Sequence, residues 1–152
     1  HEGTHGIQAM DLLGRKAIMQ GGKGLGVLAQ TIMATIAEAG AQPESEAARY
    51  AVDLQAALDR LVQVTAQVWA PLDPELALAN ASYYLEAAGH IVVAWIWLRQ
   101  LLVAGDQSGD FYEGKRQAAR YFFAYELPRT GPQLDLLAKL DRTTLDMQDA
   151  WF

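Results

Sequence analysis

Apolar residues along this chain recur at steps of three and four, the spacing of a helix face, and not in the alternation of a half-buried strand. The cleanest run is Ala47, Ala51, Leu54, Leu58, Leu61, Thr65 and Val68, whose alternating four- and three-residue steps make a bundle seam and predict a helix from Ser45 to Pro71. Before it, Leu25, Leu28, Ile32, Ile36 and Ala39 share one face of a helix that starts near Lys23 and is closed by Gly40 and Pro43. Earlier still, Thr4 caps a first helix running to about Gln20, where Gly21-Gly22 stop it. Asp73-Pro74 places a capping residue and a first-turn proline before a helix reaching about Ala104, roughly 45 Å long at 1.5 Å per residue. Gly105 ends it, and a fifth helix from about Phe111 to Glu126 presents Phe111, Ala118, Phe122 and Tyr125 before Pro128 breaks it. A last short helix starts at Pro132. Long helices joined by short links predict an all-α fold: an up-and-down antiparallel four-helix-type bundle preceded by one helix and followed by a short one.

The run Ile91 to Leu98 departs from this pattern, being apolar around the whole helix. A single bundle face cannot absorb it, so the helix is either buried centrally among several neighbours or covered by protein beyond this chain. Trp95 and Trp97, two residues apart, point in different directions, which sends at least one of them outside the seam.

At 152 residues, with 51% apolar and 20% charged, the chain suits one globular domain able to bury about two-thirds of its unfolded surface. The net charge of −6 argues against nucleic acid and anionic membrane as partners, since both are bound through clustered lysine and arginine. The one basic group, Lys115, Arg116 and Arg120, reads as a solvated helix face. No cysteine is present, which removes disulfides, a thiolate nucleophile and thiolate zinc sites. The longest stretches free of charge, Gly24 to Ala37 and Ala87 to Leu98, fall short of the roughly 18 to 20 residues of a bilayer-spanning helix, so no membrane span is expected. The chain lacks an initiator methionine and starts inside a motif, as a piece of a longer polypeptide does; a cytoplasmic location is expected.

That motif is His1-Glu2-Gly3-Thr4-His5, which fits H-E-x-x-H, two histidines for zinc around a water-activating glutamate. The context is poor for a zinc hydrolase. Gly3 and Thr4 weaken the helix the motif needs, and the extended pattern would put glycine at Gln8 and histidine at Asp11. Gly22-Lys23-Gly24-Leu25-Gly26 lacks the glycine at Ala17 and the hydroxyl at Gly24 that a phosphate loop requires, and reads as a helix junction. Glu86 and His90 are four apart where di-metal bundles use a spacing of three, twice over.

The other reading of the opening rests on Glu2-Gly3-Thr4, Gly6-Ile7-Gln8 and Leu12-Leu13-Gly14-Arg15-Lys16, in that order. Over His1 to about Met19 this resembles the segment of acyl-CoA dehydrogenases that carries the catalytic base and opens a late helix of their catalytic domain. Gly114-Lys115, Ala118 to Phe123, Leu127-Pro128 and the tail Asp149-Ala150-Trp151-Phe152 resemble the helical extension of the larger bacterial members, including methylthiopropionyl-CoA dehydrogenases. The resemblance implies two parts: residues 1–22, the last catalytic-domain helix with the base motif, and residues 23–152, an appended helical bundle.

It also implies a chemistry, α,β-desaturation of an acyl-CoA thioester with FAD as hydride acceptor, as in fatty-acid β-oxidation. Glu2 matches the α-proton base, its carboxyl raised by desolvation, and its own N–H matches a donor to the thioester oxygen. Gly3 matches the position where substrate approaches the backbone, and Thr4, His5 and Gly6 match the FAD-contacting residues at a helix start. His1 stands where tyrosine is common in the family, which alters the acyl pocket. Implied partners are acyl-CoA, electron-transfer flavoprotein or another acceptor, and further copies in a homo-oligomer. The alternatives are a non-catalytic helical interaction module and, remotely, the zinc hydrolase.

Overall fold

The computed structural model describes residues 4–152, and among them the only regular structure is helical. α1 (Thr4–Asp11) widens into a π-helical turn at Leu12–Lys16 and is followed by α2 (Met19–Ala39). With α2, the long elements are α3 (Glu46–Trp69), α5 (Ala81–Ala104) and α6 (Asp110–Tyr121), beside short α4 (Pro74–Leu78) and α7 (Thr130–Ala138).

Local chemistry explains the helix starts. Ser45 sits in an extended conformation and its Oγ accepts from the Ala48 N–H at 3.1 Å, while Glu46 in the first turn complements the helix dipole. Asp73 does the same for α4, accepting from Leu76 N–H at 3.1 Å, with Pro74 at the first position where its missing N–H costs nothing. The expected stop at Gly21-Gly22 is present as a run of left-handed residues, Gln20, Gly21 and Gly22, at φ 54°, 69° and 83°, inside Met19–Ala39. The first helix therefore does not run uniformly to Gln20.

Two further expectations are corrected. The long helix expected from Pro74 to Ala104 is broken at Ala79-Asn80, because the buried Asn80 turns its amide to donate to the Asp141 carbonyl at 3.0 Å and Thr144 Oγ1 donates to the Ala79 carbonyl at 3.1 Å. The C-terminal segment thus supplies a partner to the Ala79 carbonyl, which in a continuous helix would accept from the Tyr83 N–H that here bonds Asn80. In α6 the buried line is Ala119, Phe123 and Leu127, one position along from the expected Ala118 and Phe122, and Phe111 and Tyr125 are exposed. A second π-helical turn, Phe122–Glu126, rotates the face after Tyr121, and the Tyr50 ring stacks on Phe123 at 4.4 Å.

Cross-ties set the helix directions. Thr35 and Glu38 of α2 meet Trp95 and Arg99 of α5 in the same order, so these two helices are parallel. Thr65, late in α3, meets Tyr84, early in α5, and the short turn after Gly105 folds α6 back along α5, so that its Lys115 lies over Trp97. The four long helices alternate up and down, as expected, with α1 and α7 packed against the same central α5. Tyr84 is buried; Thr65 gives its hydroxyl proton to the Leu61 carbonyl, so the Tyr84 phenol is the donor to Thr65. By length and apolar composition α5 is long enough to cross a bilayer. Counting only charge-free stretches hid this, because Glu86 and Arg99 interrupt a 24-residue helix.

One core links these elements: Leu54, Leu58, Leu61, Val64 and Val68 of α3 meet Ile91, Ala94 and Leu98 of α5, Ile32 of α2 and Leu134 and Leu137 of α7. Leu58→Ala, at 1% exposure, is expected to lose about 2–5 kcal/mol of stability in urea titration, through lost transfer energy plus a cavity. Val52→Ala, on the same helix but 68% exposed, is expected to change stability by less than about 0.5 kcal/mol.

Candidate functional site

Of the residues marked by the sequence, Glu2 and Gly3, together with His1, lie outside the described residues. Thr4, His5 and Gly6 form the first turn of α1, and all three are exposed. A Cβ at Gly6 meets nothing within 4 Å among the described residues, so packing against them does not demand a glycine there. The first N–H groups of a helix have no intrahelical acceptor, and this first turn carries no acidic residue to offset the positive end of the dipole. Such a start suits an anionic group.

Behind that open first turn, α1 is two-faced. Ala9 and Leu13 have no exposed surface and Ala17 almost none; they join the bundle core. Ile7 and Met10, on the other side, are 64% and 49% exposed, and Ile18 and Met19 continue the apolar surface past the π-helical turn. In that turn the Ala17 N–H reaches back five residues to the Leu12 carbonyl at 2.7 Å. The Leu13 carbonyl accepts instead from the Trp69 indole at 3.3 Å, across the whole of α2 and α3. Sequence spacing carries no signal of that contact. Next to it, Ala17, Gly22, Leu25, Ala29, Val62 and Trp69 line an apolar groove of about 470 Å³.

The other polar groups form structural ties. Glu86 and His90 do not converge on a common point: the imidazole Nδ1 donates to the Glu86 backbone carbonyl at 2.8 Å, while the Glu86 carboxylate accepts from Gln133 at 2.8 Å. His90 Nε2 faces Glu126 at 3.3 Å, and Arg129 with His90 holds that carboxyl below its ordinary range. Among the described residues no group of three or more His, Asp or Glu side chains could hold a metal ion. The helix junction is Gln20, Gly21 and Gly22, whereas Gly24 and Gly26 lie within helical α2, and the described residues before them are helical, with no phosphate-loop strand.

The basic group expected to be solvated is engaged. Lys115 Nζ lies over Trp97 and Phe111, at 5.7 and 5.4 Å from their ring centroids. Arg116 donates to the Gly105 carbonyl at 2.9 Å and also to that of Gln107, closing the α5–α6 turn. Arg120 bridges Glu46, at 2.7 Å, and Glu113, at 3.0 Å. That contact lowers the Glu46 carboxyl, and burial pushes the Tyr50 phenol, which donates to Glu46, up to about 12.

Compared with known proteins, residues 28–148 match the family described as acetyl-CoA dehydrogenase C-terminal like. The chain is also 35% identical over 101 residues to the 3-methylmercaptopropionyl-CoA dehydrogenase of Ruegeria pomeroyi. That similarity covers 62% of this chain but spans only 16% of the relative's length.

The Arg120–Glu46 tie makes stability depend on pH with a definite sign. The folded Glu46 carboxyl titrates below its ordinary 4.5, so its contribution is complete above that value and is lost as pH falls through the folded one. Glu46→Gln is expected to cost about 0.5–1 kcal/mol at pH 7 in denaturant titration, with the gap to wild type closing in acid. A gap that widens in acid contradicts the assignment.

Proposed function

Because this chain belongs to the family described as acetyl-CoA dehydrogenase C-terminal like, we propose that it is the C-terminal portion of an FAD-dependent acyl-CoA dehydrogenase that desaturates an acyl-CoA thioester between its α and β carbons. The observation that carries this reading is the Glu2-Gly3-Thr4 string running directly into an exposed, acid-free helix start, in a chain whose later residues match that family.

In this reading Glu2 accepts the α-proton. That proton is weakly acidic, so the carboxylate acts while the thioester oxygen, gaining enolate-like charge, accepts the N–H of Glu2 itself. Exclusion of water around Glu2 raises its carboxyl toward the working pH and strengthens its pull on the proton. Gly3 leaves the backbone open to substrate. When bound, FAD would supply the acceptor for the hydride of the β carbon. Thr4, His5 and Gly6 would hold it: they are exposed and sited where helix N–H groups suit its phosphates.

The parent enzyme would pass electrons to electron-transfer flavoprotein or another acceptor, work in the cytoplasm and assemble as a homo-oligomer. Residues 23–152 would act as an appended bundle that docks or oligomerises. Exposed Val93, Ile96 and Val103 along α5, beside exposed Phe111, support that role, and support the second reading of a non-catalytic interaction module.

The isolated chain checks one expectation common to both readings, and the full-length parent separates them. The isolated chain is expected to be colourless and inactive, because one helix start cannot hold a flavin without the domains that exclude water around it. In the full-length parent, Glu2→Gln is expected to keep FAD and acyl-CoA affinity but slow anaerobic flavin bleaching by about 10² to 10⁴-fold, the range of a lost general base. The thioester panel includes 3-methylmercaptopropionyl-CoA. Wild-type bleaching by the Gln variant, or no bleaching of the wild type by any acyl-CoA, refutes the role of Glu2.

A further inference from the structure

The geometry points to Trp69 as a positioning residue for the base segment: the appended bundle, through this indole, sets the orientation of the helix that follows Glu2. The inference rests on the reading of Glu2 as base, and three observations carry it. The first is that α1 is built into the bundle, with its Ala9, Leu13 and Ala17 line sharing one core with Ile91 and Leu98 of α5.

The second is the π-helical turn. In a regular α-helix the Leu13 carbonyl would accept from Ala17 N–H, but that N–H is taken by the Leu12 carbonyl at 2.7 Å. The Leu13 carbonyl accepts the Trp69 indole N–H, at 3.3 Å, from the last residue of α3. An extra residue in the helix thus frees a backbone acceptor where the bundle supplies a donor. A half-buried carbonyl deprived of that donor costs free energy unless the helix shifts to find another partner.

The third is the fit on the far side of the turn. A Cβ at Gly14 would lie 3.1 Å from Leu78 Cδ2, so α4 presses on this turn where Gly14 leaves no side chain in the way. Trp69 ends α3 and Leu78 ends α4, and both contact the turn, at the Leu13 carbonyl and at Gly14.

From this anchor to the start of α1 is on the order of 15 Å at 1.5 Å per residue, with Glu2 two residues further along the chain. A helix is stiff, so a tilt of about 5° at the anchor moves its start by about 1 Å. Misplacement of that size at a reacting group can cost up to about 10²-fold in rate while leaving binding intact.

The test uses the full-length, FAD-loaded parent in anaerobic stopped flow, which separates the flavin-reduction rate constant from the acyl-CoA dissociation constant. Trp69→Phe keeps a ring in place and removes the N–H; it is expected to lower the rate constant about tenfold, with flavin content and dissociation constant unchanged. Trp95→Phe is the control, losing an indole donor of the same kind, 2.8 Å from Thr35 of α2 and not bonded to the base-segment helix. A wild-type rate in Trp69→Phe, or equal losses in both variants, overturns the proposal. If Trp69→Phe does not fold, Gly14→Ala displaces the same turn from the Leu78 side: a rate loss with unchanged affinity supports the proposal, and a wild-type rate overturns it. Glu2→Gln separates the two levels: a wild-type rate there removes the reading of the base, whereas a slow Glu2→Gln beside a fast Trp69→Phe removes only the role of Trp69.

Discussion

Helix α5 imposes the main constraint on this fold, because its apolar residues occupy every side of the helix and no single partner can remove them from water. α3 covers one side, α2 and α6 flank it, α7 adds another, and α1 is drawn in to complete the shell. Ile91, Ala94 and Leu98 become fully buried by this arrangement, while Trp95 and Trp97 end half-buried at its margins. The shell is still incomplete along Val93, Ile96 and Val103.

Polar groups at the margins of that shell decide how the helices register. Trp95 donates to Thr35, Tyr84 to Thr65 and Trp69 to the Leu13 carbonyl, so each of these buried or half-buried donors ties one helix to another. A sliding helix would leave such a donor unpaired, at a cost of about 1–3 kcal/mol, whereas apolar contacts alone tolerate small shifts. The ion pairs on the outside, such as Arg99–Glu38 and Arg60–Asp135, are more exposed and contribute less to register.

Recruitment of α1 into the shell has a functional consequence. The segment that resembles the base-bearing part of an acyl-CoA dehydrogenase is attached to a helix whose inner face belongs to the bundle and whose outer face, Ile7 and Met10, remains open. Packing runs across residue 22, since Ala9, Leu13 and Ala17 share one core with the later helices.

Much of this was legible in the sequence. The seam of α3, from Ala51 to Val68, is buried where the three- and four-residue steps put it, because a long amphipathic helix has one way to hide its apolar face. The stops at Gly21-Gly22 and Gly105 and the caps Ser45 and Asp73 are local chemistry, and local chemistry is what sequence spells out. The Glu2-Gly3-Thr4 string was likewise readable, as a resemblance. Only tertiary structure decided the rest. The break at Asn80 depends on Asp141 and Thr144, far along the chain; the burial of Phe123 in place of Phe122 goes with the Tyr50 ring stacked on it from α3; and the hold on Leu13 depends on Trp69 arriving from another helix. At Ala79 and Leu13 a backbone carbonyl exchanges its local hydrogen-bond partner for a distant one, at Phe123 a ring from another helix selects the face, and no spacing rule along a single helix contains those choices.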